Sequence, residues 1–112
     1  MNIFMFIVNN IDVAFIRRKL FMEFEWDIEK NNTNIEKHGL DFSDVALVFD
    51  SPILEIEDTR KDYGERRFFG IGLLREIEIS VVYTRRRNKI RLISARRARK
   101  DERQRYRELY QK

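Results

Sequence analysis

The stretch from Arg66 to Arg97 leaves few folds open to this chain. Three runs of strand-forming residues, Arg66 to Leu74, Glu76 to Arg85 and Ile90 to Ala95, are joined only by Leu74-Arg75 and by Arg86 to Lys89. Parallel neighbours need a crossover of a dozen or more residues, so links this short predict an antiparallel meander. The middle run alternates: Ile77, Ile79, Val81 and Tyr83 fall on one face, Glu76, Glu78 and Ser80 on the other. Gly70 and Gly72 inside the first run predict a bulge or a close backbone approach. A weaker alternation from Ile53 to Asp58 adds a fourth strand ahead of the meander.

Upstream, the pattern becomes helical. Phe24-Glu25-Trp26 reads as a short extended segment, and Asp27 as the N-cap of a helix from Ile28 to His38. Gly39 follows as its C′ residue. Ile28, Asn31, Ile35 and His38 share one face by spacing. The asparagine-rich interior makes this helix weak in isolation, so it depends on packing. Asp41 opens a second helix, with Asp44 three residues on and a stripe of Phe42, Val45, Ala46 and Phe49. Asp50-Ser51-Pro52 stops it, because the residue before a proline is pushed out of helical geometry. A terminal helix spans about Arg97 to Tyr110. The expected fold is an α+β domain of two N-terminal helices, a four-stranded antiparallel sheet and a C-terminal helix.

A chain of 112 residues, 43% hydrophobic, suits one domain with a modest core. The absence of cysteine excludes a disulfide framework, a cysteine metal site and a thiol nucleophile, and it fits a reducing cytoplasm. One histidine excludes a multi-histidine metal site within the chain, so neither a metal nor a cofactor is expected. Residues 1–21 are apolar but broken by Asn9, Asn10 and Asp12. Their apolar runs are too short to span a membrane, and they lack a signal peptide's basic start and small-residue cleavage site. They read as an upstream extension from a wrongly assigned start, or else as an extra element packed on the domain of residues 22–112.

Charge divides the chain. Residues 1–62 carry 7 Lys/Arg and 13 Asp/Glu, whereas residues 63–112 carry 16 and 6. The excess is densest from Arg85 to Arg97, where Val, Ile and Leu elsewhere in the strands make it a folded basic surface rather than a tail. Such a surface points to a polyanion, of which nucleic acid is the commonest. The oppositely charged halves could also pair between two subunits, which leaves a homodimer open.

Several short motifs share an order and spacing. Phe24-Glu25-Trp26-Asp27, Lys30, Asn34 and Lys37-His38-Gly39 are followed by Phe42, Ala46, Phe49-Asp50, Glu65-Arg66-Arg67, Gly70 and Gly72. Val82-Tyr83-Thr84-Arg85, Ile90-Arg91, Ile93-Ser94-Ala95-Arg96 and Glu102-Arg103-Tyr106 complete the series. Together they resemble the BrnT toxins of type II toxin–antitoxin systems, over nearly everything from Met22 onward. The resemblance implies a compact fold similar to RelE-type ribonucleases and an endoribonuclease that inhibits translation. It also implies a BrnA-like antitoxin with a ribbon-helix-helix domain, and operator DNA bound only through the toxin–antitoxin complex.

RNA cleavage without a metal needs a base for the 2′-OH, cations for the phosphorane and an acid for the leaving 5′-oxygen. Arg66, Arg67, Arg85, Arg91 and Arg96 offer guanidinium forks that suit phosphate oxygens. Tyr83 could stack on a base or donate a proton. Histidine is the residue type that ordinarily titrates near neutrality, and His38 is the only one, at a helix C-terminus with Lys37 beside it. Glu65 is a second candidate base, or orients one of the arginines after it. The expected catalytic set is therefore His38, Glu65, Arg67, Arg91 and Arg96, with Lys37, Arg66, Tyr83 and Arg85 binding RNA.

Each residue also has a structural reading. His38 could simply cap its helix, and Arg85 to Arg87 could be a solvated turn. Arg66 and Arg67 point to opposite faces, so one of them could pair with a carboxylate. Trp26 reads as a core anchor. Arg97, Arg99, Arg103, Arg105 and Arg107 read as a solvated face or an antitoxin contact. The competing functions are a non-catalytic RNA- or antitoxin-binding module acting as a co-repressor, and a silenced toxin. Direct DNA binding is disfavoured, since no helix combines a basic face with helix-turn-helix spacing.

Overall fold

A computed structural model describes residues 22–111; the expected extension of residues 1–21 lies outside them. The elements are β1 (Glu23–Trp26), α1 (Ile28–His38), α2 (Phe42–Val45), a 3-10 segment (Ala46–Asp50), β2 (Leu54–Asp58), β3 (Arg67–Leu74), β4 (Ile77–Arg86), β5 (Lys89–Arg97) and α3 (Lys100–Tyr110). They form an α+β domain whose single sheet has the order β1-β5-β4-β3-β2. Among the described residues, no helix is long and apolar enough to cross a membrane.

The meander from β2 to β5 is antiparallel, as expected. Two expectations need correction. The sheet has five strands, not four, and it is mixed, because Phe24-Glu25-Trp26 is a strand that runs parallel to β5, with Phe24 opposite Ile90 and Trp26 opposite Leu92. That partner is supplied by residues far along the chain, so local pattern could not assign it. The second N-terminal helix is a single α-helical turn that tightens into 3-10 geometry at Ala46. Its expected stop holds, with the Ser51 hydroxyl donating to the Val48 carbonyl.

The caps fall where the sequence puts them. Asp27 accepts from the Glu29 and Lys30 N–H groups, and Gly39 takes the left-handed conformation at φ 68°. The buried face of α1 does not match the spacing, however. Ile28 is 73% exposed, and Asn34 is the buried residue of the helix. Asparagines do this packing for a polar reason. β1 ends opposite Leu92, and beyond it the Ala95 N–H donates to Asn34 Oδ1 while Asn34 Nδ2 donates to the Leu40 carbonyl. One side-chain amide thus stands in for a missing strand partner, as buried backbone groups require. Asn31 likewise accepts from the Phe42 N–H and donates to Asp41, joining the two helices.

Both faces of the sheet are used. Phe42, Val45 and Val48 pack on Phe68, Ile79, Val81, Tyr83, Ile90 and Leu92. The 3-10 segment presses so closely on β3 that a Cβ on Gly72 would lie 2.5 Å from Val48 Cγ1. The close approach expected at the glycines is therefore real, while the register shift lies between β4 and β5, at Val82/Tyr83. On the opposite face α3 brings Tyr106 against Ile71 and Ala98. The polar side of β4 is consequently buried. Glu78 and Ser80 lie beneath α3, Glu78 accepting from Arg107 at 2.6 Å and Ser80 donating to Glu102. Ile77, expected on the apolar face, is 42% exposed.

The charge split is partly met inside the chain. The acidic strands β1 and β2 sit on the two outer edges of the sheet, flanking the basic β3 to β5. Arg85 pairs with Glu55, Arg66 with Glu57, Lys89 with Glu23, and Arg86 and Arg91 reach Glu25. Part of the complementarity between the two halves is thus met within one protomer.

Candidate active site

Strand alternation sorts the second face of the sheet into rows. Leu54, Ile71, Ser80 and Arg96 form one row, and Ile56, Phe69, Val82 and Ser94 the next. The helix α3 covers much of the first row. The second is the floor of a cleft of about 620 Å³. His38 at the end of α1 forms one wall of it. Asp58, Thr59 and Arg60, where β2 ends, form another, and Arg96, Arg99 and Glu102 at the start of α3 complete it. The floor is apolar except for Ser94 and the rim is charged, the usual character of a site that orients a ligand by a few polar groups.

Arg96 is the most constrained cation on this rim. Its two terminal nitrogens donate to the two Glu102 oxygens at 2.8 and 2.9 Å, and its guanidinium lies 5.8 Å from the Phe69 ring centre. Glu102 is a hub: it also accepts from the Ser80 hydroxyl and from the Arg99 N–H, where it completes the cap of α3. The Arg96 guanidinium, burial acting against it, the Arg99 N–H and the Ser80 hydroxyl together hold the Glu102 carboxyl down from the ordinary 4.5 to about 2. Asp58 is held well below the usual carboxylate range by Arg60, its N–H and the Tyr63 hydroxyl, with burial opposing. Both carboxylates are therefore ionised at neutral pH.

The other expected residues are dispersed. Lys37 lines a depression on the other flank of His38, with Asn34 and Ser94. Arg67 and Arg91 lie on the same face as the cleft, one row beyond Phe69, Val82 and Ser94. Arg66 is held outward by Glu57 through two hydrogen bonds, so the opposite orientation of Arg66 and Arg67 is as expected. Glu65 is not brought to the cleft; its carboxylate accepts from Arg86. Tyr83 is fully buried in the core between Phe49 and Phe68, its hydroxyl donating to Glu55. Burial first, then Glu55, pushes that phenol up, and no ring face is left for a base to stack on. Arg85 donates to the same Glu55, forming a structural cluster at the end of the core. Trp26 packs edge-on against Phe42, as a core anchor should.

Sequence reasoning missed Glu102, Ser80, Ser94, Arg60 and the Phe69 platform as site residues. Glu102 lay within a recognised motif, but only the fold sets it against Arg96. Among the described residues, no group of three or more histidine or acidic side chains is placed to hold a metal ion.

The model of the family described as "Ribonuclease toxin, BrnT, of type II toxin-antitoxin system" matches residues 26–102. The chain belongs to the BrnT ribonuclease toxin family. A comparison with curated proteins finds no match. The span matched by the BrnT family includes every residue that lines the cleft, from His38 to Glu102.

The Glu102 shift has a consequence for this BrnT-family chain. A carboxyl whose pKa is lower folded than unfolded adds stability above its unfolded value and loses it as pH falls through the folded one. Unfolding measured by denaturant at stepped pH should show stability falling between about 4.5 and about 2. Glu102→Gln should flatten that fall, leaving the part contributed by Asp41, Glu57, Asp58 and Glu78, whose carboxyls are also lowered. An unchanged slope in Glu102→Gln would show that the Arg96 pair does not set it.

Proposed function

We propose that the chain is an endoribonuclease that cleaves RNA in this cleft, as the toxin of a type II toxin–antitoxin pair. The observation that carries the reading is the convergence of His38 and Arg96, from opposite ends of the matched region, on one cleft with an apolar floor. An RNA strand laid across Phe69 and Val82 would set a base on the floor and its phosphate toward Arg96. The ribose 2′-oxygen attacks the adjacent phosphorus, the bond to the 5′-oxygen breaks, and one proton leaves the former while one reaches the latter. Arg96, held flat by Glu102, stabilises the charge that gathers on the phosphorane, with no reorganisation needed as the charge develops. Arg99 and Arg60 add to the positive rim.

Proton transfer falls to His38. Glu102 and Asp58 are ionised, so neither has a proton to give at neutral pH, and their lowered pKa values and arginine-bonded oxygens make them poor bases; Glu65 sits outside the cleft. Lys37 and Arg91 extend the basic surface that RNA would cross. The family resemblance supports the finer parts of the proposal: a RelE-like fold, metal-independent cleavage, arrest of translation in the cytoplasm, and neutralisation by a BrnA-like antitoxin that alone contacts operator DNA.

The test is RNA 5′-end mapping after brief induction of the full chain in a bacterial host without antitoxin, beside a His38→Ala variant. New internal mRNA ends, absent from the variant, are the expected result. Growth arrest with intact RNA, or RNA bound and protected, would replace the nuclease by a non-catalytic binding module.

A further inference from the structure

Two buried polar atoms stand out on the open face. Among the described residues, Arg67 Nε and Thr84 Oγ1 are the buried side-chain atoms that lack a hydrogen-bond partner. They belong to directly opposed residues, since Arg67 faces Thr84 across β3 and β4, and Thr84 in turn faces Arg91 on β5. A hydroxyl is thus flanked by two arginine-bearing positions on neighbouring strands. Nε can only donate, and the threonine hydroxyl carries one donor hydrogen. Adjacent unmet donors call for an oxygen acceptor, because buried polar groups are almost always paired.

Charge makes that acceptor an anion. Arg66 and Arg85 each give two hydrogen bonds to a carboxylate. Among the described residues, Arg67 has no carboxylate partner, and it rests on the Tyr63 ring, 3.9 Å from its centre. The acid opposite it, Asp58, is taken by Arg60 and Tyr63. Among the described residues, Arg91 is paired with Glu25, 3.8 Å away and shared with Arg86. Arg67 is thus free to turn from Tyr63 toward a ligand, which would uncover the fully buried Thr84. The row lies two residues along β4 from Val82 on the cleft floor, a distance of about 7 Å.

We propose that Arg67, Thr84 and Arg91 form a phosphate subsite that holds the RNA backbone next to the bond being cut. The placement of the cut rests on the nuclease reading; the anion site does not. The subsite makes the substrate an RNA that continues past the cleaved linkage. It also explains why an unpaired hydroxyl is kept under the surface: the group serves the ligand and not the fold.

The test uses the full chain, Thr84→Val and Arg67→Gln, with fluorescently labelled single-stranded RNA titrated across a salt series. Thr84→Val should weaken binding about tenfold, as loss of a hydrogen bond to a charged group does. Its thermal midpoint should hold or rise, since an isosteric apolar group removes an unpaired hydroxyl. Arg67→Gln should reduce the slope of log affinity against log salt by about 0.7. Wild-type affinity and slope in both variants would overturn the subsite, and so would a Thr84→Val chain that loses binding only because it is less stable. If the variants bind as wild type while wild type cuts RNA, the subsite fails and the nuclease reading stands. If binding falls as expected but wild type cuts no RNA, the subsite stands and the nuclease reading fails. If wild type binds no RNA, the subsite is overturned, and an antitoxin carboxylate becomes the anion to test.

Discussion

Arg96→Ala is expected to fold and to lose RNA cleavage by about 100- to 1,000-fold in kcat, the scale of removing one preorganised donor from a developing oxyanion. The fold should survive because Glu102 keeps other partners. The Ser80 hydroxyl and the Arg99 N–H still donate to it, so its carboxylate is not stranded when the guanidinium goes. The cap of α3 depends on that Arg99 bond rather than on Arg96. Single-turnover cleavage of a labelled RNA, with a circular dichroism spectrum of the same preparation, separates the outcomes. Folded protein with near wild-type rate would remove Arg96 from the reaction. Arg96→Lys should recover little, because a single ammonium cannot both bridge the two Glu102 oxygens and face the phosphate.

Gly72→Val should be the most damaging single change to the fold, costing about 3 kcal/mol or more, at the upper end of what overpacking a core costs. Even an alanine Cβ would stand 2.5 Å from Val48 Cγ1, 2.6 Å from Ile53 Cδ1 and 2.9 Å from Ser51 Oγ. These groups belong to the 3-10 segment and to the turn that leads into β2. Relief would require that segment to lift from the sheet and expose Val48, which is fully buried. The Ser51 hydroxyl would be displaced as well, and it receives the Leu73 N–H. A denaturant titration reads the cost directly. Gly39→Ala is the contrast: nothing lies within 4 Å of its added Cβ, and the penalty comes only from φ 68°. It should cost about 1 kcal/mol. Equal losses at the two positions would show that packing against the 3-10 segment is not what requires Gly72.

Much of the local structure was readable from the residues. Asp27 and Gly39 bound α1 because capping is a matter of adjacent backbone groups, and short links force β3, β4 and β5 into a meander. The misreadings share a cause. Glu78 and Ser80 look solvent-facing by alternation, yet α3 folds over them and supplies Arg107 and Glu102 as partners. Ile28 and Ile35 look like the buried stripe of α1, but the sheet edge beside that helix needs a hydrogen-bonding group more than an apolar one. Asn34 therefore takes the inner position. Tyr83 reads as an RNA-stacking or proton-donating residue, and its burial follows only from the packing of Phe49 and Phe68 against it.

The sequence by itself determined the class of the domain, the meander, the helix caps, the basic bias and membership of the BrnT family, because each depends on neighbouring residues or on ordered motifs. Tertiary structure alone decided which cations are available. A guanidinium in a sequence is only a charge, and whether it binds a phosphate depends on which of its five donors are already taken and on where the fold aims it. Folding places the acidic strands at both edges of the sheet, where they occupy Arg66, Arg85 and Arg86. Among the described residues it leaves Arg67 without a carboxylate and the Thr84 hydroxyl, between two arginines, without a partner, and it aims Arg96 into a cleft opposite His38. Those arrangements join residues from opposite ends of the domain, and long-range pairing of that kind has no local signature.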